Sequence, residues 1–267
     1  MERTALGPTR ARALAAALLA ALAGNGAAAD YVQVPAGTLT SAIAPDAVGT
    51  PVPIDAFSIR VTPVTKGEFH RFVEARPEWQ RGRVAQTFAD GRYLQDWRSA
   101  NAVGDAHAED EPVVNVSWFA AEAYCEAEGG RLPTWHEWEY VAAADATRRD
   151  ARDDPAFRAR ILARYASATR ADLPAIGAAA NAYGVRDIHG AVWEWVDDFN
   201  ALLVDGDSRS GEDADKLRFC GAGAINLQDR ENYAVLMRIA LLSSLNGSDS
   251  TTSLGFRCVR PVGDKAR

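Results

Sequence analysis

The side chains able to do chemistry fall into three groups. Asp187 and Glu194 bracket a short turn around Gly190, where a glycine lets the backbone bend tightly and present its carbonyl oxygens. Such a turn can line a site with hard oxygen donors of the kind calcium takes; the same residues also read as a plain turn into a core strand. The second group is Cys125, Cys220 and Cys258, which allow one disulfide in three ways with one thiol left over. The third is His70, His107, His136 and His189, none of them paired at i, i+2 or i, i+4. No imidazole cluster with metal-ligand spacing follows, and His136 reads as a solvated surface residue. The chain has no glycine-rich phosphate loop, no Cys-x-x-Cys and no serine, histidine and aspartate order of a hydrolase.

These groups need positioning elements. Trp193 and Trp195 stand two apart around Glu194, which predicts an extended segment with both indoles on one face and the carboxylate on the other. Thr65-x-x-Glu68 and Thr134-x-x-Glu137 are capping boxes, each opening a helix. Phe69, Phe72 and Val73 then form a buried stripe on the first. Ser117 caps an alanine-rich helix that carries Cys125 and stops at Gly129-Gly130. Phe157, Ile161 and Tyr165 recur every four residues, predicting an amphipathic helix over 155–165 beside interleaved arginines and aspartates that read as a solvated face. Strands are expected at 31–34, 52–61, 112–116, 217–225 and 254–259. The polar stretch 76–111, with aromatics at no clear period, is expected to be an ordered surface excursion with short helical turns.

Residues 1–29 have another layout. Arg3, Arg10 and Arg12 precede an apolar run from Ala13 to Ala23, and small residues follow to Ala29. This is the pattern of a secretory signal peptide, too short in its apolar part to span a bilayer. Residues 30–267 then make one domain large enough for a sizeable core, in a periplasmic or secreted location. The whole chain carries a formal charge of −7, and the segment 1–29 is itself basic. An acidic surface repels phosphate backbones and anionic lipid, so neither nucleic acid nor membrane is an expected partner.

Four segments, Thr62-Pro-Val-Thr65-Lys-Gly-Glu68-Phe69, Arg131-Leu-Pro-Thr-Trp-His-Glu-Trp-Glu139, Asn181 to Phe199 and Gly255-Phe-Arg-Cys258, together resemble the formylglycine-generating, or sulfatase-modifying-factor, family. The resemblance implies a single α+β domain with little regular secondary structure and a C-type-lectin-like fold. It implies a disulfide between Cys125 and Cys258. It also implies a structural calcium ion held by Asp187, the carbonyls of Gly190 and Val192, and Glu194. The segment 145–180 departs from the family, replacing the loop of a first calcium site with the arginine-rich run, so that site is not carried over.

Copper-dependent relatives hold Cu(I) between two cysteines that follow a Gly-Gly-Ser turn, because a soft ion takes soft sulfur. The matching window from Gly221 to Arg257 contains no cysteine, and Cys220 just before it reads as a buried apolar residue. No copper is therefore expected, and the histidines give little support to the iron-dependent sulfoxide-synthase branch. The resemblance leaves three functions open: a monomeric exported accessory factor that binds a partner protein or peptide, an oxidoreductase with atypical ligands, or a lectin-like binder. The Ala-Ala-Ala29 site makes one expectation directly testable: the intact mass of the exported protein should begin at Asp30, and a retained N-terminus would overturn the signal-peptide reading.

Overall fold

The computed structural model describes residues 30–41, 43, 50–104, 106–167, 176–202 and 233–263. Residues 1–29, expected to be a signal segment, together with Cys220 and the strand expected at 217–225, lie outside them. The strands are β1 (Tyr31–Val34), β2 (Gly37–Thr40), β3 (Pro51–Ile54), β4 (Phe57–Arg60), β5 (Trp193–Glu194), β6 (Leu254–Gly255) and β7 (Val259–Pro261). The α-helices are α1 (Lys66–Ala75), α2 (Trp118–Ala127), α3 (Trp135–Ala142), α4 (Pro155–Ser167) and α5 (Tyr233–Ser243). Helix and strand mix within one domain, and long irregular connections join them.

The helix starts follow from local chemistry. Thr65 accepts from the Glu68 amide at 3.2 Å while Glu68 accepts from the Thr65 amide at 2.9 Å, and Thr134 with Glu137 repeats this at 3.2 and 2.8 Å. Both boxes satisfy donors that a helix start leaves open. Ser117 caps α2 through the Ala120 amide at 3.2 Å. α1 sends Phe69, Phe72 and Val73 into the core.

The strands are shorter than their sequence pattern. The run expected over 52–61 divides at Asp55-Ala56 into β3 and β4, which join different sheets: β1-β4-β7 is antiparallel throughout, and β2 pairs antiparallel with β3. Residues 112–116 are no strand; they make one bridge, Thr65 to Pro112. The final run divides into β6, parallel to β5, and β7. Gly255 comes so close to the Val113 carbonyl that a Cβ there would stand 2.5 Å from it. Such close approach is open only to glycine.

Among the described residues the core is one large apolar cluster, with a small second one of Ala151, Phe157 and Ile161. Phe69, Tyr124 and Phe256 meet at ring-centroid distances of 5.4 to 6.0 Å. Beside them Cys125 of α2 and Cys258, next to β7, form a disulfide with Cα atoms 5.4 Å apart, both residues fully buried. Arg60 at the end of β4 is buried between Glu68 of α1 and Glu128 at the end of α2, at 2.5 Å from each. Within the excursion 76–111, Tyr93 and Trp97 are buried and Phe88 is exposed.

The disulfide closes a loop with a sequence separation of 133. On the chain-entropy account, a loop of that length stabilises the fold by about 5 kcal/mol. Cys258→Ser should therefore lower the melting temperature by roughly 10–20 °C, read by circular dichroism with and without reductant. A variant that melts with the wild type would overturn this.

Candidate functional site

The stretch from Asn181 to Phe199 is built from the turn upward. The Asn181 side chain accepts from the amides of Tyr183 and Val185 at 3.0 and 3.1 Å and donates to the Val141 carbonyl at 2.9 Å, fixing the loop to α3. Asp187 follows in the left-handed region at φ 56°, and its carboxylate accepts from the amides of Gly177 and Ala178 at 2.8 and 3.0 Å. Gly190 has φ 89°, and α4 presses on it: a Cβ there would meet the Cβ of Arg164 at 2.8 Å. Glycine is required on both counts. Between α4 and this turn lies a cavity of about 180 Å³, lined among others by Phe157, Ile161, Asp187 and His189.

The extended segment that follows is buried on both faces. Trp195 is fully buried and donates to the Val116 carbonyl at 3.0 Å, whereas Trp193 is half-buried. Glu194, expected on the opposite face, is fully buried as well. The reason is Arg257. Its Nε lies 3.1 and 2.9 Å from the two Glu194 carboxylate oxygens, and its Nη2 lies 2.8 Å from Oε1. The Trp138 indole donates to Glu194 Oε2 at 2.8 Å. The remaining Arg257 hydrogens go to the carbonyls of Arg60, Val61 and Arg186 at 3.2, 3.3 and 3.1 Å. Arg238 of α5 donates to the Glu194 main-chain carbonyl, with its guanidinium carbon 3.6 Å from the Trp138 ring centre.

The residues expected to hold calcium are thus neighbours in sequence with separate employment. A carboxylate offers about four lone-pair positions, and Glu194 makes four donor contacts to Arg257 and Trp138. The donor set does not fit a calcium shell that includes the Glu194 carboxylate. Asp187 is held by the two backbone amides, and Val192 is buried in the core wall. Among the described residues, no group of three or more His, Cys, Asp or Glu could hold a metal ion.

The histidines are dispersed. His70 donates to the Asn101 carbonyl at 3.1 Å and His136 to that of Ile43 at 2.9 Å, so His136 is tied to the loop rather than solvated. His189 is half-buried, donates to the Ala142 carbonyl at 2.8 Å, and meets the rings of Trp138 and Phe157 edge-on at 5.9 and 6.0 Å. Burial above all, with Arg238, Arg164 and Arg257 nearby, pushes its pKa down to about 4.

With this geometry in view, the comparisons with known proteins decide the family. The sulfatase-modifying factor enzyme 1-like domain matches residues 18–262. The chain belongs to that family. A hercynine oxygenase of Mycobacterium tuberculosis is 35% identical over 161 residues, covering 54% of this chain and 38% of that protein. A formylglycine-generating enzyme of Streptomyces coelicolor is 32% identical over 166 residues, covering 56% and 52%. An inactive C-alpha-formylglycine-generating enzyme 2 of Bos taurus is 25% identical over 284 residues, covering 90% and 91%. The chain thus spans well under half of the hercynine oxygenase it matches. No described helix of this family member is long and apolar enough to cross a membrane.

Sequence reasoning missed Arg238 and Arg257 as the partners of Glu194. One signal was present: Arg238 interrupts the apolar run 233–242, and an arginine inside a core helix must be paired.

His189 generates a pH prediction. Above about pH 6.5 the ring is neutral in folded and unfolded chains alike. Between that and about 4 the unfolded chain takes up a proton that the native one refuses, so stability is lost as pH falls through this window. Denaturant unfolding at pH 7 and pH 4.5 should show an acid loss smaller by roughly 2–3 kcal/mol in His189→Gln than in wild type. Equal losses would overturn the assignment.

Proposed function

We propose that this member of the sulfatase-modifying factor family works by binding rather than by oxidising, as an accessory factor that holds another exported protein or peptide during its maturation. The observation that carries the reading is the employment of its thiols. Two of the three cysteines are bonded to each other. In the window where copper-dependent relatives carry a cysteine pair, the described part has no thiol; α5 sends Ile239 and Leu242 into the core and stacks Arg238 on Trp138. Cu(I) needs soft ligands. Cys220, outside the described residues, would have to find a second one in the Met237 thioether, which is exposed on α5. The bovine relative named inactive, which aligns along most of the chain, supports the reading. The pattern of residues 1–29 supports export, and the acidic charge favours a protein partner over nucleic acid or membrane.

A second reading, an oxidising enzyme, draws on the higher identity of the hercynine oxygenase and formylglycine-generating segments. One experiment separates the two. Mature protein is incubated with Cu(I), oxygen and a peptide carrying a sulfatase-type cysteine motif, and the peptide is weighed for conversion of the cysteine to the aldehyde. No conversion is expected. Turnover that disappears in Cys220→Ser would replace the accessory reading with a new copper site.

A further inference from the structure

We propose that the Arg257 guanidinium is the resident cation of the 187–194 turn, so that the fold takes no divalent ion through Glu194. Three observations lead there, and none depends on whether the protein is an enzyme.

The first is saturation. All five N–H groups of the guanidinium have acceptors, three directions being taken by carbonyls and two by the carboxylate. The carboxylate in turn receives four donor contacts. Neither partner has an open position for an ion to enter without breaking the pair.

The second is charge. Glu194 and Arg257 are both fully buried, so the carboxylate is neutralised within a region that water does not screen. The main-chain oxygen of Glu194 is engaged by a second guanidinium, that of Arg238. A divalent ion at this oxygen would stand against two buried positive groups. On the Asp187 side, Arg160 and Arg164 of α4 line the same cavity as the carboxylate.

The third is mechanical. A cation that ties a turn to a strand must contact both, and Arg257 does so: it joins the Arg186 carbonyl of the turn to the Glu194 carboxylate of β5 and to the end of β4. On the other side of the turn, α4 closes on Gly190. A covalently attached cation of this kind is not removed by a chelator.

The test uses the mature chain. Ligand that binds only the native state raises its melting temperature, by about 5–10 °C at a hundredfold excess over the dissociation constant. After chelation, millimolar calcium should move the wild-type melting temperature by less than about 1 °C, and terbium should give no saturable luminescence sensitised by Trp193 and Trp195. Glu194→Gln and Arg257→Met should each lower it by roughly 10 °C, with the double variant losing clearly less than the two together. A wild-type calcium response that vanishes in Glu194→Gln, or strictly additive losses, would overturn the proposal. Should Arg257→Met fail to fold, the wild-type and Glu194→Gln arms decide alone.

Discussion

The buried pair between Glu194 and Arg257 is the interaction on which the rest of the structure depends. Isolated, either charge would be costly to hold away from water, and the pair is tolerable only because every remaining hydrogen-bonding position is filled. Filling them draws in the end of β4, the turn at Arg186, α3 through Trp138, and α5 through Arg238 stacked on that same indole. Four further stretches of chain thus answer to these two residues. The short strands around it need little ladder of their own, since β5 and β6 contribute two residues each.

Around this centre the other polar clusters repeat the same logic at lower stringency. Arg60 sits between Glu68 and Glu128, and its charged form is held above the usual guanidinium range by those carboxylates despite its burial. The Tyr124 hydroxyl shares the Glu128 carboxylate, and burial raises its pKa. Each network joins a strand to the helix that follows or covers it, so the irregular connections are bounded by fixed points.

Much of this was legible in the sequence where the determinants are local. Thr65 with Glu68 and Thr134 with Glu137 announce their helices because a capping box is complete within four residues. The helix over 155–165 was visible in the spacing of Phe157 and Ile161, both of which are buried. The strand divisions were not visible, since the break at Asp55-Ala56 is set by which sheet each half joins. The site was read from its carboxylates, and what that reading missed was distant in sequence: the partner of Glu194 lies 63 residues further along the chain. Pattern within a window carries no information about such a contact. Arg257 stood in a recognised motif, and Arg238 in an apolar run, yet neither position states what it will meet.

The sheet order has a consequence for how the chain acquires its structure. β4 is the central strand, and it lies between β1, which precedes it closely, and β7, formed by residues 259–261. A chain emerging from its N-terminus therefore makes β1 and β4 early and holds one edge of β4 unpaired until residues 259–261 have been released. Cys125 waits for Cys258 over the same interval. Contacts of such sequence separation raise contact order and slow folding, and an open strand edge is a template for the wrong partner. For a protein of this topology, the pairing of β7 with β4 is the event that completes the three-stranded sheet.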